Sequence, residues 1–304
     1  MFDQKSRRSF LKFVGASSIA VTAGSRMTAS ADLNPALLQT HQGPVNESDI
    51  NPQKVLLNES TRKEVREWIA SGLLKAAIIP TGSTEQHNEH LALSMDTEAA
   101  LVISRLVAQR LFPKAIVTPP VPFGICPFFM KRQGTITVRE EIFTGLVYDI
   151  CCSMKTHGIK TILIVNGHGG NTSALRKSVP EFSSKLGIPI ESCAYWDSLS
   201  REQRKEYTET GSVPGHADEF ETSFALAAFP ERVRRVTYDE KVQYLWEPAK
   251  EDLERIGYRE ENWFSPQFDK NSFEESHLAT AEKGERFIAH AVEWVADKLL
   301  KMIG

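Results

Sequence analysis

Acidic and imidazole side chains able to hold metal ions gather in two stretches of this chain. The first runs from Pro80 to Asp96 and carries Glu85, His87, Glu89, His90 and Asp96; the second is Asn166-Gly-His-Gly-Gly-Asn171, with His168 inside it. Each follows a short apolar run, 76–80 and 161–165, that reads as a buried strand. Acids and histidines at a strand exit stand where open α/β folds build their sites. Glu85 and His87 are two apart, so an extended backbone turns both to one face. Their Cβ atoms would then lie roughly 6–7 Å apart, given a rise of about 3.3 Å per residue. That separation suits ligands of two different ions in a pair about 3.5–4 Å apart. Asp96 is the candidate carboxylate to bridge such a pair. His168 completes a mixed nitrogen and oxygen set suited to zinc, manganese or iron.

A plainer reading stands beside this one. A Glu-x-His after a strand is ordinarily a solvated turn, and His87-Asn-Glu-His90 matches neither the H-E-x-x-H nor the H-x-x-E-H pattern of zinc proteases. What favours metal is the coincidence of two histidine-bearing strand exits. The second is wrapped in Gly167, Gly169 and Gly170, which let the backbone approach a ligand closely. Such a loop also cradles phosphates at helix starts, but no Lys-Ser/Thr follows it, which argues against a nucleotide. The residues alone leave a metal site and a polar turn in balance.

A further motif, His216-Ala-Asp-Glu-Phe-Glu-Thr-Ser223, precedes an apolar helical run. Glu85-x-His87, Asp96, the Asn166 to Asn171 loop and this motif, in that order between about Leu73 and Pro230, together resemble the creatininase (creatinine amidohydrolase) family. The resemblance implies a three-layer α/β/α sandwich with a mainly parallel central sheet, creatininase-like. It implies a site for two divalent ions per chain (Zn, Mn or Fe) and a homo-oligomer, hexamers being common in the family. It also implies Glu85 and His168 as ligands of one ion, His87 as a ligand of the second, Asp96 as the bridge and His216 as a proton shuttle.

The chain departs from the pattern in two places. The carboxylate that creatininase carries two residues after its second-motif histidine is here Gly170. Glu221 is the candidate replacement, with the alternative that an acid in a helix's first turn simply serves the dipole. The family's His-Gly-Pro-His-Leu-Pro stands as His87-Asn-Glu-His-Leu-Ala92. This version is similar to the branch containing 3-dehydro-scyllo-inosose hydrolase, which opens a cyclic polyol diketone by carbon–carbon cleavage. Glu89 becomes a second candidate proton donor. Asn88, His90, Gly169, Gly170, Tyr195 and Trp196 become candidate substrate contacts. The expected activity is a hydrolase opening a small cyclic amide or related ring. Polyol cleavage is the alternative, and a non-catalytic periplasmic binding protein is the reading from another class. The added polarity of Asn88 and Glu89 predicts a preference for a hydroxyl-rich ring over creatinine.

The rest of the chain supplies context. With 304 residues, 41% hydrophobic, it can bury one large α/β core. A net charge of −3 and a pI near 6.3 leave no electrostatic footprint for nucleic acid or anionic membrane. Ser6-Arg7-Arg8-Ser9-Phe10-Leu11-Lys12, the apolar run 13–23 and Ala29-Ser30-Ala31 match a twin-arginine export signal. The expected organisation is therefore signal 1–31, spacer 32–58 and catalytic domain 59–304, in a protein exported folded to the periplasm or beyond. Cys126, Cys151, Cys152 and Cys193 are too few and irregular for a disulfide framework and read as core thiols.

Alternating patterns predict helix 61–71, strand 76–80, helix 96–111, strand 115–118, helix 140–157, strand 161–165, helix 172–186, strand 188–194 and helix 217–228. Segment 134–138 reads as an edge or hairpin strand. The loop holding Gly124, Pro127, Phe128 and Phe129 reads as an apolar pocket wall. Segment 235–275 reads as an insertion forming a lid or subunit contact, and 276–303 as one closing amphipathic helix.

Overall fold

The computed structural model describes residues 54–239, 247–259 and 264–304; the expected export signal and the spacer up to residue 53 lie outside them. Four strands, β1 (Ala76–Thr81), β2 (Ala115–Val117), β3 (Thr161–Asn166) and β4 (Ile190–Ala194), form one parallel sheet in the order β2-β1-β3-β4. The helices of the described residues are α1 (Arg62–Ala70), α2 (Met95–Arg110), α3 (Glu140–Thr156), α4 (Thr172–Leu186), α5 (Arg201–Tyr207), α6 (Glu219–Ala228), α7 (Lys250–Arg255), α8 (Pro266–Ser276) and α9 (Ala281–Ile303). Every residue of β1 and β3 is buried, as a parallel sheet covered on both faces requires.

The period of two divides these strands between two cores. Ala76, Ile78, Leu163 and Val165 pack with Met95, Ile103 and Val107 of α2, Phe220 and Phe224 of α6, and Phe287 and Val295 of α9. Ala77, Ile79, Ile162 and Ile164 pack with Phe143, Val147 and Cys151 of α3 and Leu175 and Phe182 of α4, backed by Val65 and Trp68 of α1. The three layers match the expectation. Pro80 is tolerated in a central strand because its missing N–H faces the side where β2 has already ended. There its carbonyl accepts from Val121 N at 2.9 Å.

Several expected boundaries move. Val55, within the expected spacer, is buried and its carbonyl accepts from Val117 N at 2.9 Å, so the chain already docks beside β2 before residue 58. Segment 134–138 forms only isolated bridges, Thr84 with Ile136 and Gly124 with Thr137. The expected closing helix is two helices. Ser276 ends α8, and α9 starts afresh behind Thr280, whose side chain accepts from Lys283 N. Within 235–275, helix α8 begins at a Ser265 cap with Pro266 in its first turn, a start signal outweighed by the segment's weak periodicity. The four cysteines are free, and no helix among the described residues is long and apolar enough to cross a membrane.

Helix α9 crosses α6 at Gly284, where a Cβ would sit 2.0 Å from the Ser223 carbonyl oxygen. Because that atom is backbone, the two helices would have to separate. Gly284→Ala should therefore cost about 1–3 kcal/mol, the usual range for overpacking a tight contact. Urea denaturation measures it, and an unchanged midpoint would contradict this close approach.

Candidate metal centre

Parallel pairing brings the two motif-bearing exits together, since Thr81 at the end of β1 is in register with Asn166 at the end of β3. The asparagines of the second motif bind the loops to one another. Asn166 Oδ1 accepts from Thr81 Oγ1 at 3.2 Å, its Nδ2 donates to the His168 carbonyl of its own loop at 2.7 Å, and Asn171 Nδ2 donates to the Gly82 carbonyl at 3.0 Å. Asn171 Oδ1 in turn accepts from Ile125 N at 3.0 Å. The loop after β1 supplies Ser83, Glu85, Gln86 and His87, the first turn of α2 supplies Asp96, and the first turn of α6 supplies Glu221. Both helix starts favour a carboxylate through the dipole.

These side chains converge on one buried cluster. Asp96 lies between two histidines, Oδ1 at 3.1 Å from His87 Nε2 and Oδ2 at 2.9 Å from His168 Nδ1. Glu85 Oε2 is 3.3 Å from His168 Nδ1, and Glu221 Oε2 is 3.4 Å from His87 Nε2. Ser83 Oγ donates to Asp96 Oδ2 at 2.8 Å. The outward nitrogens of both histidines meet carbonyl oxygens, which only accept. His87 Nδ1 is 3.0 Å from the Glu85 carbonyl, and His168 Nε2 is 3.1 Å from the Ile125 carbonyl. Each ring therefore keeps a proton on its outer nitrogen, which leaves the nitrogen facing the carboxylates as the one that would bind a metal once its own proton is displaced. His87 Nε2 is fully buried beside the Asp96 and Glu221 carboxylates.

The electrostatics show a cluster short of positive charge. Burial pushes the Glu85 carboxyl up to about 7 and that of Glu221 up to about 8. Burial opposes the charged form of His87, yet the Asp96 and Glu221 carboxylates overcome it and push the imidazole up to about 10. His168 follows to about 9, burial again being outweighed, here by Glu85 and Asp96. Buried carboxylates need pairing with cations or metals, and these histidines are drawn into the protonated state to provide it.

His216 also joins the cluster, with Nδ1 3.4 Å from Glu85 Oε1 and Nε2 2.9 Å from Gln86 Nε2. Burial, and then the neighbouring His87 charge, hold its pKa well below the usual value, so the ring is neutral. Next to it Ala217 takes a left-handed φ of 50°, as Asn88 does at 54°, two non-glycine residues held in an uncommon conformation beside the site. Donor atoms of Glu85, Cys126 and His168 lie within 4.8 Å of one another, so Cys126, expected only as a core thiol, borders the centre. Ser83 and Gln86 were not among the expected site residues. Their place in the loop between Thr81 and His87 was the available signal, and small polar residues there pass for ordinary turn formers.

The remaining expected residues fall elsewhere. Glu89 is exposed on the turn. His90 is buried against Thr222, 2.9 Å from its hydroxyl, and edge-on to Phe273. Tyr195 and Trp196 pack in the aromatic core with Phe220, Phe224 and Phe287 rather than on a pocket wall, but the buried Tyr195 hydroxyl has no hydrogen-bond partner and its pKa is pushed up by burial and then by the nearby Glu221 and Asp96 charges. Asn88 uses half of its amide to hold α8, Nδ2 donating to the Asp269 carbonyl at 3.0 Å, while its buried Oδ1 has no partner.

Gly169 is exposed with open space where a side chain would grow, whereas a Cβ on Gly170 would lie 2.1 Å from the Ile125 carbonyl oxygen and 2.4 Å from His168 Nε2. No carboxylate fits at Gly170 in this arrangement, and Glu221 enters the cluster from the other side. Gly170→Ala should destabilise the protein by about 1–3 kcal/mol, while Gly169→Ala stays within about 0.5 kcal/mol. Equal denaturation midpoints for the two variants would contradict the crowding at Gly170.

Comparison with known proteins places the chain in a family. A family model described as Creatininase: Creatinine amidohydrolase matches residues 58–299. A mycofactocin precursor peptide peptidase of Mycobacterium ulcerans is 32% identical over 165 residues, covering 51% of this chain and 59% of the relative. The 3-dehydro-scyllo-inosose hydrolase of Thermotoga maritima is 28% identical over 186 residues, covering 59% and 58%. These two matches thus span less than two thirds of the relatives' length. The creatinine amidohydrolase of Pseudomonas putida is 23% identical over 277 residues, covering 81% and 96%. Among solved structures, a manganese creatininase superposes with a TM-score of 0.64 at 22% identity, covering 81% of this chain and 98% of the other. A mutant creatininase of Zn-Zn type gives 0.64 at 21%, covering 81% and 97%. With the family model spanning most of its length, the chain belongs to the creatininase family of hydrolases.

Proposed function

We propose that this chain is a hydrolase using two divalent ions, zinc, manganese or iron, to cleave the carbon–nitrogen bond of a small cyclic amide. The observation that carries the proposal is the convergence of His87 Nε2 and His168 Nδ1 on the two oxygens of one buried carboxylate, Asp96, with Glu221 and Glu85 beside them and each ring's other nitrogen committed to a carbonyl. Glu85 and His168 would hold one ion, His87 and Glu221 the other, and Asp96 would bridge them. Related folds with Mn and Zn-Zn centres, and relatives named amidohydrolase and peptidase, support both the metals and the amide bond. Such ions, when bound, polarise a carbonyl and make water a nucleophile at neutral pH.

The protein's own groups do the rest. Ser83 orients Asp96, and the Glu85 and Ile125 carbonyls hold the two imidazoles in the required tautomers. His216 is the proton carrier. Gln86 Nε2 donates to its Nε2, which leaves the proton on Nδ1, beside Glu85 Oε1 and the reacting region. Glu89 is exposed and is the weaker candidate for that role. Carbon–carbon cleavage of a polyol, the activity in the name of the Thermotoga maritima relative, is the alternative; of the polar pair that suggests it, Asn88 gives its Nδ2 to α8 and keeps Oδ1 without a partner, and Glu89 is exposed.

Elemental analysis of purified protein should find about two ions per chain. Asp96→Ala should lose both, while His87→Ala and Glu221→Gln should each keep the ion held by Glu85 and His168. Equal metal content in Asp96→Ala and His87→Ala would show that Asp96 bridges nothing. In a panel of lactams, hydantoins and oxidised inositols the amides should be opened. Full metal occupancy with no turnover anywhere in the panel would favour a binding protein.

The proposed location is the periplasm, resting on the twin-arginine segment Ser6 to Lys12. Changing Arg7 and Arg8 to Lys keeps the charge and removes the pattern, so precursor should accumulate in the cytoplasm. An unchanged periplasmic yield would mean that the segment is not an export signal of this kind.

A further inference from the structure

Four phenylalanines from two separate segments stand beside the histidines of the centre. Phe128 and Phe129 belong to the loop after β2, while Phe264 and Phe268 lie just before and within the first turn of α8. Phe129 is buried face to face on His216, with ring centroids 4.3 Å apart and 20° between the planes. Phe264 stacks on Phe129 at 4.9 Å and against Phe268 at 4.4 Å. Phe268 lies 6.0 Å from His216 and nearly parallel to it, and Phe128 lies 6.2 Å from His168, 25° from parallel. Phe128 and Phe268 are half-buried and Phe264 is 36% exposed, so three of the rings stay partly exposed next to a charged centre.

Their position is held by buried polar contacts. Arg132 Nε and Nη2 both donate to Asp269 Oδ2, at 2.8 and 2.5 Å, and Asn88 Nδ2 donates to the Asp269 carbonyl. Asp269 follows Phe268 directly, so the contact that ties α8 to the loop after β1 also sets these rings against His216. A pure core would bury the rings completely. Open aromatic faces beside convergent polar groups are instead the composition of a ligand site.

We infer that Phe128, Phe264 and Phe268 form an apolar subsite for a flat, aromatic or unsaturated substituent carried next to the scissile amide. This inference rests on the hydrolase reading above and narrows its substrate class. Phe128 lies 6.2 Å from His168 and Phe268 6.0 Å from His216, centroid to centroid, within the range of aromatic contact, so these rings border the space beside a carbonyl held at the centre. A hydroxyl-rich ring would meet the same faces with donors and acceptors that the rings cannot satisfy.

Hydroxamates, which bind metal through one end and vary at the other, separate the two layers of the account. Calorimetry on the metal-loaded full-length protein should find phenylacetohydroxamate at least about tenfold tighter than acetohydroxamate, a difference of about 1.4 kcal/mol. Phe264→Ala should bring the ratio within about threefold, and Phe264→Tyr, which keeps the ring, should preserve it. A metal-loaded protein that binds both compounds alike, or neither, overturns the subsite, as does a ratio untouched by Phe264→Ala. A protein that takes up no metal at all fails the hydrolase reading instead.

Discussion

Three carboxylates share one nearly dry pocket, and this constraint governs the rest of the site. Glu85, Asp96 and Glu221 are each almost fully buried, with opposing histidines about 3 Å away. Taking such charges out of water costs several kcal/mol per ion, and pairing recovers that only with good geometry. The cluster is therefore a poor source of stability, and the two apolar cores must carry the fold around it. In the bare protein the histidines are driven to hold protons against the cost of burial. A divalent cation would do the same electrostatic work and displace those protons. The centre is thus arranged for a cation before one arrives.

That arrangement depends on backbone more than on side chains. Register between β1 and β3 places both motif loops at the same sheet edge, and the motif asparagines bind them together. Backbone carbonyls of Glu85 and Ile125 set the two imidazole tautomers. Helix starts deliver Asp96 and Glu221. Crowding at Gly170 excludes a carboxylate there, and α6 brings Glu221 to the cluster instead.

Much of this was legible in the residues. The apolar runs that became β1 and β3 marked the exits, and Glu85, His87, Asp96 and His168 were apparent from type and spacing. Glu221 was open to two readings, since a first-turn acid also serves a helix dipole, and only its 3.4 Å approach to His87 brings it into the cluster. What could not be read was orientation. Asn88 and Glu89 looked like pocket groups, but a left-handed backbone at Asn88 sends its amide to α8 and leaves Glu89 outside. Tyr195 and Trp196 follow a strand at the right edge, yet their rings pack in the core, Tyr195 against Phe220 and Phe287, and only the Tyr195 hydroxyl feels the Glu221 and Asp96 charges of the cluster. Helix α8 was obscured by its polar composition, although its Ser-Pro start was present.

The account stands or falls on Asp96 as a shared ligand, and anomalous diffraction from crystals of the metal-loaded protein tests it most directly. Two peaks should flank the Asp96 carboxylate, one also touching His168 Nδ1 and Glu85, the other His87 Nε2 and Glu221. A single peak, or two peaks that do not share Asp96, would contradict it.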